Sequence, residues 1–265
     1  MADLAARIAE SYRGLSPQEQ RAADFMRDHI ADLAVYNSTE VARLSGVSKA
    51  TVSRLYRRLG FENAEAVREH VRGLRAAGTP LATDAPTSYA DHLERELANL
   101  RAVLTGLDLV PAAALVAGAR RVIVVGFRNS YPMALHLRQQ LAQARPDVAL
   151  APQPGQSVGE ELAALTADDV VVLVGFRRRP RGFADVVAAV AASEARSILI
   201  TDRPVAGPDI VIACPVDSVT AFDSYAAAAS VISLLAAAVL AADLPAGRSR
   251  IAAIGETYRA LDELE

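Results

Sequence analysis

Two arginine-bearing segments offer chemistry in this sequence. Gly126-Phe127-Arg128-Asn129-Ser130 follows a β-branched run and precedes a helical stretch, and Gly175-Phe176-Arg177-Arg178-Arg179-Pro180-Arg181 does the same further along. A guanidinium supplies charge and paired donors in a rigid fork, and the first N–H groups of a helix are free to meet an anion. Arg128, Asn129, Ser130, Arg177, Arg178 and Arg179 are therefore candidate ligands for a small anionic effector, and the shared Gly-Phe-Arg implies two strand ends converging on one site. The competing reading makes these arginines solvated loop residues paired with acids. Asp202-Arg203 and Asp223-Ser224 are weaker candidates, as such residues more often cap helices or turn the chain.

A second constellation is basic. From Val41 to Phe61 the chain has Arg43, Lys49, Arg54, Arg57 and Arg58 and no acid, and Lys49 is its single lysine. Asn37 with Glu40 forms a capping box for a helix from Ser38 to Ser45, with Val41 and Leu44 inward and small Ala42 where another helix must approach. Gly46 supplies the turn, and Ser48 caps a second helix over Lys49 to Leu59. Val52, Leu55 and Leu59 face inward there, leaving Lys49, Ala50, Thr51, Ser53, Arg54, Arg57 and Arg58 on the open surface. This is a helix-turn-helix whose second helix enters the major groove, so Ser48 and those seven residues are the candidate DNA contacts. A solvated surface helix would explain the charge but not the caps, turn glycine and apolar spacing together.

General acid–base chemistry has thin support. His136 lies inside a helical stretch with Leu135, Leu137 and Leu141, and Glu160-Glu161 reads as first-turn charge on a helix. Four scattered histidines and one cysteine, Cys214, make no metal constellation or disulfide framework. No enzyme activity, metal or cofactor is expected.

These residues need elements to hold them. The chain has 265 residues, 52% hydrophobic and 22% charged, enough for two packed domains. Residues 1–78 read as helices, starting with Leu4, Ile8 and Tyr12 on one face and continuing from Ser16-Pro17 into Ala22, Phe25, Met26, Ile30 and Leu33. A proline-interrupted linker is expected over 79–90, leaving 91–265 as a second domain. In that domain Tyr89 to Leu104 and Leu107 to Gly118 read as helices. Short apolar runs then alternate with helical stretches: Val122 to Val125, Val148 to Leu150, Val170 to Val174, Ile198 to Ile200 and Ile210 to Ala213. That texture predicts a five-stranded parallel sheet between two helical layers, with ligands at the carboxyl ends of the strands. Tyr225 to Ala242 is uncharged over 18 residues, but nine are alanine, so a buried or subunit-contact helix is expected rather than a membrane span. With no signal stretch at its start, the chain is expected to be cytoplasmic.

Several segments together resemble the RpiR family of bacterial transcriptional regulators. They are Leu15-Ser16-Pro17-Gln18-Glu19, Glu40-Val41-Ala42, Gly46-Val47-Ser48-Lys49-Ala50-Thr51-Val52-Ser53-Arg54 and Leu59-Gly60-Phe61. The resemblance implies an all-α helix-turn-helix domain followed by an α/β three-layer sugar-isomerase (SIS) domain. It also implies operator binding as a dimer or tetramer and control by a sugar phosphate, sugar acid or similar carboxylate. The chain departs from the family at both anion loops. Arg128 stands where the family's G-x-G-x-S has its middle glycine, and Gly175 to Pro180 lacks the three hydroxyls of S-x-S-G-x-T. The alternative function is a SIS-fold phosphosugar isomerase or hydrolase.

Overall fold

The computed structural model describes residues 4–30, 32–34, 36–76, 79–80 and 88–263; residues 81–87 of the expected linker lie outside them. The chain divides into two compact units, Met1–Leu93 with Ser218–Asp223, and Glu94–Asp217 with Ser224–Glu265.

The first unit is helical: α1 (Leu4–Ser11), α2 (Pro17–Asp28), α3 (Ser38–Ser45), α4 (Lys49–Arg58) and α5 (Ala64–Ala76). Ser16 starts α2 through a reciprocal capping box with Glu19, with proline in the first turn. Tyr12, expected to extend the first helix, falls instead in a 3-10 turn, Tyr12–Gly14. Leu4, Ile8, Met26, Val41, Val52, Leu55 and Tyr56 close the core. Leu44 corrects the expectation that it faces inward, for it is 42% exposed. Ala42, one residue beyond Val41, completes the buried arc of α3 and turns Leu44 away from it.

The second unit begins in α6 (Tyr89–Leu104) and α7 (Val110–Gly118). Five parallel strands follow: β1 (Arg121–Gly126), β2 (Val148–Ala151), β3 (Asp169–Gly175), β4 (Arg196–Thr201) and β5 (Ile210–Ala213). Their order is β2-β1-β3-β4-β5, so the direction of winding reverses at the β1/β3 junction. The connecting helices are α8 (Tyr131–Ala144), α9 (Gly159–Ala163) and α10 (Phe183–Ala192), and α11 (Ala226–Ala242) and α12 (Leu244–Leu261) end the unit.

Alternation along the strands builds two cores. Val122, Val124, Val170, Val172, Val174, Ile198 and Ile200 face α7, α8 and α11, while Ile123, Val125, Val171, Leu173 and Leu199 face α10. Every expected strand forms, because runs apolar on both faces are stable only between two layers. α11 buries Ala227, Ala228, Val231, Ile232, Leu235, Ala236 and Val239 in the first core. No single helix among the described residues is long and apolar enough to cross a membrane, and α11 and α12 meet at 108°. α12 lies mostly open, with Leu244, Ile251 and Leu261 exposed.

β2 is an edge strand. Asp147 O accepts from Val122 N on β1, so the alternate carbonyls of Val148 and Leu150 point outward. Arg138 Nε donates to Val148 O at 3.3 Å, and Gln153 Nε2 donates to Leu150 O at 2.8 Å.

Candidate functional site

The basic helix is held by local chemistry. Asn37 Oδ1 accepts from the N–H groups of Thr39 and Glu40, while Glu40 Oε2 accepts from Asn37 N at 2.8 Å. Gly46 ends α3 at φ 69°, a left-handed turn that a side chain would strain. Ser48 Oγ then accepts from Thr51 N at 3.1 Å and starts α4. The angle between α3 and α4 is thus fixed by two caps and one glycine.

Ser48, Lys49, Ala50, Arg54, Arg57 and Arg58 are exposed and Ser53 is half-buried. Thr51 corrects the expectation that all seven helix candidates are open, since it is buried. Its Oγ1 lies 2.9 Å from Ser48 Oγ and accepts from an Arg54 nitrogen at 3.3 Å. Thr51 therefore orients Arg54 rather than presenting itself.

Arg58 also has a task inside its own unit. It donates to Gly14 O at 2.7 Å and its Nε sits 3.4 Å from Glu19 Oε1. The Glu19 carboxyl, 3% exposed, is held below its ordinary range by the Ser16 N–H and hydroxyl and then by Arg58. Lys49, Arg54 and Arg57 are the other exposed charged groups of α4. Burial pushes the Tyr56 phenol up to about 12, so it stays neutral beneath them.

The two arginine loops flank the switch point of the sheet. Gly126 pairs with Val174 and Gly175 with Thr201, so β1 and β3 end side by side. A Cβ on Gly126 would lie 2.6 Å from Ala134 Cβ, and one on Gly175 would lie 2.1 Å from the Phe183 ring, so both helices approach only because these residues are glycine. Ser130 is buried, and its Oγ accepts from Phe176 N at 2.9 Å, which ties the first loop to the second.

The arginines divide into two sets. Arg179 donates to Thr201 Oγ1 at 2.7 Å and forms an ion pair with Asp202, in which the side chains are 19% and 10% exposed. Asp202 Oδ1 also accepts from Arg177 N at 3.1 Å. Arg177 reaches Asp217 Oδ1 at 2.9 Å, and its carbonyl accepts from the Tyr225 hydroxyl at 3.3 Å. Arg128, Asn129 and Arg178 are exposed, and Arg128 holds a left-handed φ of 52°. The structure thus brings Ser130 and the Arg177 loop together and engages two of the four arginines with acids. Sequence reasoning missed Asp217 and Thr201 as members of this cluster, and ranked Asp202 low.

His136 and Glu160 are exposed and Glu161 is half-buried. Two cavities border α8 rather than the arginine loops: one of about 560 Å³ between Tyr131, Arg138, β2 and Glu161, and one of about 580 Å³ between Arg138, Gln143, Arg250 and Tyr258. Among the described residues, no group of three His, Cys, Asp or Glu side chains is gathered for a metal ion.

Comparison with known proteins finds two family matches. Residues 2–73 match the helix-turn-helix domain of the rpiR family, and residues 115–238 match the SIS domain. No curated protein matches. Among solved structures, the chain is similar to the sugar isomerase domain of an RpiR transcription factor from Sphaerobacter thermophilus, at 21% identity and a TM-score of 0.57. That likeness covers 66% of this chain and 98% of the other. It is also similar to the NanR protein of Vibrio vulnificus, which was solved in complex with ManNAc-6P, at 16% identity and a TM-score of 0.58, over 98% of this chain and 99% of the other. At these identities the likeness establishes the fold.

Proposed function

Because the chain belongs to the RpiR family, joining that family's helix-turn-helix to a SIS domain, we propose that it is a bacterial transcriptional regulator that binds operator DNA and senses a small anionic metabolite. The observation that carries the DNA reading is the capped α3–turn–α4 unit, which turns Lys49, Arg54 and Arg57 outward from a stretch with no acid. Ser48, Ala50 and Ser53 near the start of α4 suit contacts with base edges, and the arginines suit phosphates or guanine. Ser130 with Arg128, Asn129, Arg177 and Arg178 forms the effector site, with Arg179 held back by Asp202 as its support. Sugar phosphates, sugar acids and similar carboxylates are the ligand classes whose charge fits guanidinium donors.

The domains divide at the segment 79–90, with 1–78 binding DNA and 91–265 binding effector. The protein acts in the cytoplasm as a homodimer or tetramer, because two recognition helices on a two-fold axis match a palindromic duplex. A catalytic role is not part of this reading: His136 and Glu160 stand exposed on helices.

The test is fluorescence anisotropy with a duplex selected by the protein from a random pool, at increasing salt. Wild-type affinity is expected to fall steeply with salt, since phosphate neutralisation releases counterions. Arg57→Ala is expected to weaken binding by about 1–3 kcal/mol if it reads a base, or to lower the salt slope by about one if it meets a phosphate. Unaltered binding by the combined change at Lys49, Arg54 and Arg57 would remove α4 from the DNA interface.

A further inference from the structure

The two engaged arginines at the strand ends differ in how readily they can be released. Arg179 and Asp202 are both largely buried, and Asp202 Oδ1 is also bound by the Arg177 N–H. An anion that displaced Asp202 would leave a desolvated carboxylate without its cation, which is strongly unfavourable. Arg177 is different: its side chain is 15% exposed, but Asp217, one of the groups it meets, is 61% exposed. A displaced Asp217 carboxylate would pass directly into water. One face of the Arg177 guanidinium is therefore occupied by a carboxylate that an incoming anion can replace at small cost.

Asp217 is also tied through its main chain. Asn99 Nδ2 donates to Asp217 O at 2.7 Å across 118 residues of sequence, and Asn99 is buried in α6 at 4% exposure. α6 is the helix by which the chain enters the second unit. Directly after Asp217 the chain leaves the second unit for the segment Ser218–Asp223, which belongs to the first. The residue that would yield to a ligand is thus pinned to the entry helix and covalently joined to the other unit.

We infer that Asp217 is a built-in competitor for the effector anion at Arg177, and that Asn99 couples its displacement to α6 and so to DNA affinity. The inference rests on the effector site proposed above. In the ligand-free protein Asp217 stands in for the ligand's anionic group; on binding, the anion takes Arg177 and the Asp217 segment shifts its hold on Asn99. Asp217 sets the threshold affinity of the site, and Asn99 acts as a positioning residue without touching the ligand.

The test uses the full chain and inorganic phosphate as probe, with phosphate affinity read by calorimetry and DNA affinity by anisotropy, each with and without phosphate. Asp217→Asn is expected to bind phosphate about two- to fivefold more tightly, the fold-change that corresponds to removing an exposed ion pair. Its DNA affinity without phosphate is expected to move in the direction in which phosphate moves wild type. Asn99→Ala is expected to bind phosphate as wild type does but to lose the effect of phosphate on DNA affinity, with Asn99→Ser replacing it if the alanine variant does not fold. Arg177→Ala separates the two levels. If it abolishes phosphate binding while Asp217→Asn binds no more tightly than wild type, the effector site stands and the competitor is overturned. If Arg177→Ala binds phosphate as well as wild type, or no variant binds it, the effector site itself falls and the inference with it. Phosphate regulation of DNA binding that persists in both Asn99 variants overturns the coupling.

Discussion

Replacing Ser130 with alanine tests whether one hydroxyl holds the two arginine loops together. Ser130 is 4% exposed and Phe176, whose N–H it accepts at 2.9 Å, is 1% exposed. Alanine fills almost the same space, so the change removes the acceptor with little effect on packing. The Phe176 N–H is left buried at the end of β3, away from water. An orphaned buried donor costs about 1–3 kcal/mol. In a unit of this size each kcal/mol lowers Tm by about 2–4 °C, so the melting transition of the α/β unit is expected to fall by about 2–12 °C in scanning calorimetry. Asn129→Ala, one residue away but exposed, is expected to stay within about 0.5 kcal/mol of wild type. If the Ser130 variant melted with wild type and the Asn129 variant, the hydroxyl would not be the tie between the loops.

Two further expectations concern charge and backbone. Glu19 is held below its ordinary value of 4.5, so its contribution to stability is present above that pH and is lost as pH falls through the lower folded value; Glu19→Gln is therefore expected to flatten the acid limb of a stability–pH profile below about pH 4.5, measured by urea melts. Arg128→Gly is expected to leave Tm equal or slightly higher, because relief of left-handed strain of about 1–2 kcal/mol outweighs the added freedom of the unfolded chain at about 0.4–1 kcal/mol, while the stabilisation of the protein by inorganic phosphate in thermal melts decreases.

The strands were readable because their signal is local. A run such as Val170 to Val174 has one stable home, between two helical layers, and the structure puts it there with every member buried. The caps of α3 and α4 were readable for the same reason, since Asn37 and Ser48 act within three residues of themselves. Thr51 and Leu44 were misplaced because helical spacing fixes which residues share a face but not how wide the buried arc is. Thr51 turned inward because its hydroxyl found Ser48 and Arg54. The partners of the arginines were beyond reach for another reason. Arg177 meets Asp217 across 40 residues, Arg179 meets Asp202 across 23, and Asn99 meets Asp217 across 118. Such pairings follow from the strand order and loop paths, and no spacing in the sequence encodes them.

The side chains lying along β2 limit one way in which copies of this molecule can meet. An uncovered strand edge is a template on which another chain can lay a strand, extending one sheet into the next and opening a route to fibre-like growth. Here Arg138 and Gln153 already occupy the outward carbonyls of Val148 and Leu150, so a strand arriving at that edge would have to strip two donors away before gaining any bond of its own. Assembly by sheet extension on this side is disfavoured. α12, with Leu244, Ile251 and Leu261 open, presents instead a surface whose backbone is already satisfied. Association through side chains alone closes at a fixed number of copies when its symmetry is rotational, whereas strand addition has no natural end.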